Sequence, residues 1–62
     1  MATKEFTVKN HLGQDTRHTP QRVTYNGQAG NLWERRTFEN GAWVFQGRTF
    51  YPAGSTRNQI AE

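Results

Sequence analysis

The chain has 62 residues, of which 32% are hydrophobic, and it carries a formal net charge of +3 with a mean hydropathy of -1.02. A chain of this length buries only about 60% of the surface that it exposes when unfolded, so it can form at most one domain with a thin core. It contains no Cys, which excludes disulfides and thiolate metal sites, and no apolar run approaches the roughly 20 residues of a membrane span. We therefore expect one small cytoplasmic domain over residues 1–62, without a membrane partner; its size alone suggests a phage- or plasmid-type protein.

Aromatic side chains are the main candidates for the core. Aliphatic residues are few, but each aromatic side chain buries roughly 150–250 Å², so a handful of them can hold a small domain together. A homodimer that buries a second face is an alternative way to complete such a core. The eight aromatic residues are Phe6, Tyr25, Trp33, Phe38, Trp43, Phe45, Phe50 and Tyr51.

In chain order, the residue pattern predicts four strands. Residues 4–9 alternate polar and apolar side chains, with Phe6 and Val8 on one face. Residues 10–21 are rich in Gly, Asp, Thr, His and Pro and are predicted to form a long loop, a length that is uncommon unless the loop is functional or mobile. The other strands are predicted at residues 22–25, 32–38 and 42–50.

The end of the chain is predicted to be a tail over residues 55–62. It has room for one helical turn, for which Ser55 is the N-cap candidate. No segment has the periodicity of a long amphipathic helix. The predicted fold class is therefore all-β (mostly β), as a small twisted antiparallel sheet or an SH3-like or OB-like barrel of three to five short strands.

Asn40-Gly41 is the strongest local signal, because both central residues of a type I′ turn need a positive φ. A two-residue loop at this point fixes the register of the hairpin, and residues directly opposite each other share a face. One face is more apolar and is expected to form the core, whereas the other is expected to be exposed. The core face holds Leu32, Arg36, Phe38, Trp43 and Phe45, and the exposed face holds Trp33, Arg35, Thr37, Val44, Gln46 and Arg48.

On the expected exposed face, Trp33 lies between Arg35 and Arg48. The predicted register places Arg48 opposite Trp33, and Gln46 opposite Arg35. This arrangement is typical of a platform on which a nucleic-acid base stacks while arginines contact phosphates. The alternative is that Trp33 packs against another strand or a dimer partner, with Arg48 covering it.

The basic residues favour nucleic acid as a partner. Six of the eight are Arg, whose planar group of donors suits phosphate and also stacks on aromatic rings. Arg17 and Arg22 lie in or beside the predicted loop, which could follow a phosphate backbone or a groove on a protein. The predicted binding residues are Trp33, Arg35, Arg48, Arg17, Arg22 and Gln46.

No group of residues predicts catalysis, a metal site or a cofactor. The five carboxylates show no pairing that suits acid–base chemistry, and His11 and His18 are seven residues apart in the predicted loop without a defined third ligand. The sequence therefore predicts a non-enzymatic nucleic-acid-binding protein with little sequence specificity. Two alternatives remain open: an inhibitor or adaptor that docks on one host protein, and a structural subunit of an assembly.

Overall fold

The computed structural model describes residues 3–61, which form a four-stranded antiparallel sheet followed by one short helix. Each strand pairs with the next along the chain, so that β1 and β4 are the edges of an open sheet. The predicted all-β class is confirmed, as a sheet rather than a closed barrel. The elements are β1 (Phe6–Lys9), β2 (Asp15–Tyr25), β3 (Gln28–Glu39), β4 (Ala42–Pro52) and α1 (Arg57–Ala61).

Two Asn-Gly turns connect the three long strands. Asn40 and Gly41 have φ angles of 50° and 82°, and Asn26 and Gly27 between β2 and β3 have angles of 50° and 76°. Positive φ at both central residues is the mark of a type I′ turn, whose twist matches that of the strands it joins. The hairpin predicted at Asn40-Gly41 is confirmed.

The loop predicted over residues 10–21 is wrong from Asp15 onward, because β2 begins there. The true connection between β1 and β2 is short, and the Asn10 side-chain oxygen closes it by accepting hydrogen bonds from the backbone N–H groups of Leu12 and Gln14, at 2.9 and 3.0 Å. The polar residues that follow are stabilised as a strand by pairing with β3 from Thr16 to Tyr25, and with β1 from Asp15 to His18. Local composition therefore predicts a loop where tertiary pairing makes a strand.

The predicted register of the β3–β4 hairpin holds only for the four pairs nearest the turn, from Glu39 with Ala42 to Arg36 with Phe45. A β-bulge then shifts the pairing by one residue, and Gly47, just after it, has a φ of 142° that favours glycine. The predicted pairs Arg35 with Gln46 and Trp33 with Arg48 are wrong, and Arg35 with Gly47, Glu34 with Arg48 and Trp33 with Thr49 take their place.

The core lies on the face of the sheet that α1 covers, which we call the inner face. Trp33 is only 3% exposed there and packs against Phe6, with ring centroids 5.5 Å apart, while Ile60 of α1 completes the cluster. The prediction that Trp33 is exposed is wrong, and its alternative, packing against another strand, is what the structure shows. Phe38 and Phe45, which were predicted to be core, are 42% and 50% exposed.

Helix α1 is set in place by a capping box rather than by the predicted cap at Ser55. The Thr56 hydroxyl accepts a hydrogen bond from the Gln59 backbone N–H at 3.3 Å, and the Gln59 side-chain oxygen accepts one from the Thr56 N–H at 2.8 Å. Ser55 instead donates to the Pro52 carbonyl at 2.7 Å. The chain thereby turns back over the sheet and delivers Ile60 to the core. Within residues 3–61, no helix is long and apolar enough to cross a bilayer.

His18 is a buried ionisable group in this core. Its ring stacks on Phe6 with centroids 4.9 Å apart, and it is opposite Phe6 in the β1–β2 register. Burial, and to a lesser extent the positive charge of Arg35, lower the pKa of His18 below its usual 6.5. The neutral imidazole is therefore the form that the folded protein holds at neutral pH.

The two faces of the sheet predict opposite effects of removing an aromatic ring. Trp33→Ala should cost about 3–5 kcal/mol, as large aromatic truncations in a core do, which is comparable with the whole stability of such a small domain. Phe45→Ala removes a half-exposed ring and should cost less than about 1 kcal/mol. Circular dichroism and urea unfolding of both variants check this. An unfolded Phe45→Ala beside a folded Trp33→Ala would show that the faces are reversed.

The burial of neutral His18 predicts a loss of stability on mild acidification. Because the pKa is lower in the folded state, the unfolded chain binds more protons below pH 6.5, so stability is full above that pH and falls as the pH decreases. One proton limits the slope to about 1.4 kcal/mol per pH unit. The measurement is urea unfolding between about pH 7.5 and pH 5.5. His18→Phe, which keeps a ring against Phe6, should flatten the profile; an equal slope in that variant would assign it to other groups.

Candidate functional site

The face opposite α1, which we call the outer face, gathers arginines and aromatic rings from three strands. In the register, Arg17 of β2 is opposite Arg36 of β3, which in turn is opposite Phe45 of β4. The β-bulge then places Arg48 opposite Glu34, so that Arg48 joins the same face as Phe45. In a regular strand, residues three apart point to opposite faces, so the bulge is what brings these two together. The site consists of Arg17, Glu34, Arg36, Phe38, Trp43, Phe45 and Arg48.

Trp43 is the aromatic centre of one half of this site. The guanidinium carbon of Arg17 lies 4.1 Å from the centroid of the indole ring, which is cation–π distance. Phe38 contacts the same ring edge-on, with centroids 5.2 Å apart. The indole is thus fixed between a cation from β2 and a ring from β3, and it remains partly exposed.

Phe45 is the centre of the other half. Its ring, half exposed, has the guanidinium groups of Arg48 and Arg36 at 5.2 and 6.0 Å from its centroid. Both arginines are held by Glu34, which accepts a bond from Arg36 Nε at 2.8 Å and one from the Arg48 terminal nitrogen at 3.1 Å. This carboxylate fixes two cations beside one exposed ring.

The electrostatic environment of Glu34 reflects its two partners. Desolvation acts to raise the pKa of its carboxyl, but hydrogen bonds from Arg36 and Arg48, together with their positive charges, outweigh it and lower the pKa below its usual 4.5. Glu34 is therefore ionised at neutral pH.

The charges at the centre of the outer face do not cancel. Arg17, Arg36 and Arg48 carry three positive charges, and the nearby carboxylates are Glu34 and Glu5, the second of which accepts a hydrogen bond from Thr19, opposite Glu34 in the register. One positive charge is therefore in excess. Lys9 and Asp15, at the β1–β2 edge of the same face, pair with each other at 2.7 Å. The excess positive charge thus lies beside Trp43 and Phe45.

A second aromatic pair lies at the opposite end of the outer face. The rings of Tyr25 and Phe50 are 5.4 Å apart, and Tyr25 is 59% exposed. Phe50 lies across the backbone at Gly30, where a Cβ atom would be 2.7 Å from the ring and 2.5 Å from the Tyr51 carbonyl oxygen. The lack of a side chain at Gly30 is what allows Phe50 to lie there.

The structure separates the six residues that the sequence predicted to bind a partner. Arg17 and Arg48 lie on the outer face, whereas Trp33 is buried in the core. Arg22 is exposed but paired with Asn31 on the inner-face register. Arg35 and Gln46 line a groove of about 750 Å³ on the inner face. Sequence reasoning missed Arg36, Phe38, Trp43 and Phe45 as site residues because it assigned them to the core.

The inner-face groove contains polar groups that bind one another. Gln46 donates to the hydroxyl of Thr37 at 2.8 Å and to the carboxylate of Glu39 at 3.1 Å, and Thr37 also donates to Glu39 at 2.6 Å. Among residues 3–61, no buried side-chain nitrogen or oxygen lacks a partner. Over the same residues, no three His, Cys, Asp or Glu side chains come together as metal ligands would. Gln46, Thr37 and Glu39 in the groove are therefore engaged with one another.

No protein-family model, curated protein or solved structure matches this chain at a significant level. The geometry and charge of the outer face therefore carry the functional interpretation.

The different surroundings of the two tryptophans predict distinct fluorescence. In the variant Trp43→Phe, the remaining emission comes from buried Trp33 and should be blue-shifted and poorly quenched by acrylamide. The component lost relative to the wild type belongs to Trp43, and Arg17→Gln should make that component easier to quench because the covering guanidinium is gone. A Trp43→Phe spectrum that is red-shifted and fully quenched would contradict the burial of Trp33.

Proposed function

We propose that this protein binds nucleic acid through the outer face, without catalysis and with little sequence specificity. The observation that supports the proposal is the half-exposed ring of Phe45 with the guanidinium groups of Arg36 and Arg48 beside it. The neighbouring pair of Arg17 and Trp43 extends the same combination of ring and cation across the sheet.

Exposed rings on a sheet provide the stacking part of such a site. A base that stacks on an aromatic side chain contributes about 1–3 kcal/mol, and the contact tolerates any base because every base has a flat face. Phe45 and Phe38 are the rings with the largest exposed fraction at this end of the face, 50% and 42%. Sequence is read by hydrogen bonds to the edges of bases, whereas stacking contacts only their faces. We therefore expect little sequence specificity.

The arginines provide the phosphate-binding part. A guanidinium group donates two parallel hydrogen bonds to a phosphate and can do so while it remains against a ring. Arg17 is the best placed of the three, because no carboxylate of residues 3–61 lies within salt-bridge distance of it. Arg36 and Arg48 are already ordered by Glu34, so less side-chain entropy is lost when a phosphate binds.

A protein partner is the second candidate, and the edge of the sheet supports it. β4 has eleven residues and pairs only with β3 within the described chain, so its other edge is open to an added strand. Val44 and Phe45 are exposed along that strand. In this alternative the chain is an inhibitor or adaptor for one host protein, and the outer-face rings are its contact residues.

The nucleic-acid proposal predicts that the affinity falls steeply with salt, and that it depends on arginines of the outer face more than on those of the inner face. Affinity for a labelled single-stranded oligonucleotide, measured by fluorescence anisotropy, should fall by at least tenfold between about 50 and 200 mM salt. Arg17→Gln should weaken binding and reduce the salt slope by about one, because one phosphate contact is lost. Arg22→Gln is the matched control: it removes the same charge from an exposed side chain on the inner-face register.

Equal losses in Arg17→Gln and Arg22→Gln would mean that net charge, and not the outer face, attracts the nucleic acid. Absence of binding at low salt would overturn the proposal. In that case, retention of one protein partner after nuclease treatment in a pull-down, lost in Phe45→Ala, would favour the second candidate.

A further inference from the structure

We infer that the outer face takes a single strand rather than a duplex, and that this strand runs along β4 from the Phe45 cluster to the Tyr25–Phe50 pair. The inference rests on the proposed function and adds to it the form of the nucleic acid and its path. Two aromatic clusters on one face, with a cation between them, are the observation behind it.

The shape of the molecule disfavours duplex recognition. The major groove of B-DNA is about 12 Å wide and admits a helix or a two-stranded ribbon. The site draws its residues from three adjacent strands, so it meets a ligand as a broad surface. Stacked, paired bases do not offer their faces to such a surface, whereas an unpaired base does.

The second aromatic pair matches the requirements of an additional stacking position. Tyr25 is 59% exposed, and its ring contacts the ring of Phe50, which lies next to the backbone of Gly30. A ring held in this way loses little conformational entropy when a base stacks on it.

The path between the two clusters has a definite length. Phe45 is opposite Arg36 and Phe50 is opposite Leu32, so the bulge leaves a span of four residues on β3, which corresponds to about 13 Å at roughly 3.3 Å per residue. A stacked single strand rises about 3.4 Å per nucleotide, so about four stacked nucleotides span this distance. Arg48 lies between Phe45 and Phe50 along the strand and offers a cation to the connecting phosphates.

The test uses the full chain and two oligo-dT probes, one of three nucleotides and one of ten, together with a ten-base-pair duplex. The longer single strand should bind more tightly than both the short one and the duplex. Tyr25→Ala should lower the affinity for the long probe by about tenfold, the value of one stacked base, and bring it toward that of the short probe. Tyr25→Phe keeps the ring and should bind as the wild type does.

Leu12→Ala is the control for loss of an exposed apolar side chain away from this face, since Leu12 is 70% exposed in the β1–β2 turn. It should leave both affinities unchanged, and circular dichroism establishes that each variant is folded. Duplex binding as tight as that of the long single strand, or a Tyr25→Ala variant with wild-type affinity for the long probe, would overturn this inference while the proposed function stands. Failure of every probe to bind would instead remove the proposed function.

Discussion

Burial of the Trp33 indole between Phe6 of β1 and Ile60 of α1 decides which side of the sheet is inside. Over residues 3–61, the only element that packs on the sheet is a five-residue helix, so only one face of the sheet is covered there. Once Trp33 occupies that side, the rings and cations of the opposite side remain in contact with solvent. The exposure of Phe38 and Phe45 follows from this limit on the core and is the physical origin of the candidate site.

The bulge after Phe45 has a comparable influence on the site. It shifts the register by one residue, and the shift moves Arg48 to the side on which Phe45 and Glu34 lie. The carboxylate of Glu34 then holds two arginines beside one ring. The same irregularity leaves Gln46 on the inner face, where it bonds to Thr37 and Glu39. One inserted residue therefore determines that Gln46 lies in the polar groove of the inner face and that Arg48 lies on the basic, aromatic outer face.

Substitutions on the outer face are expected to change the free energy of unfolding less than substitutions in the core. His18, Phe6 and Trp33 hold the fold from within, and their substitution acts on the unfolding equilibrium. Phe45 and Tyr25 are exposed, so their substitution is expected to change the free energy of unfolding little. This separation makes the binding proposals testable in a domain with a thin core. The arginine and aromatic content of the sequence is compatible with nucleic acid and with a protein partner alike. The guanidinium groups beside exposed rings are the feature that favours nucleic acid.

The sequence by itself determined the β class, the Asn40-Gly41 turn and the four pairs next to it, because a type I′ turn is specified by two adjacent residues. It also predicted a platform of Trp33, Arg35 and Arg48, of which Trp33 is buried and only Arg48 lies on the outer face, and it placed Arg17 in a loop rather than on a strand. Only the tertiary structure decided that residues 15–21 are a strand, since their polar side chains are held by pairing with β1 and β3. The tertiary structure likewise decided which face is exposed. The hairpin register sorts the side chains into two faces but does not tell which one is covered, and the contacts that decide this, Phe6 and Ile60 on Trp33, come from the two ends of the chain.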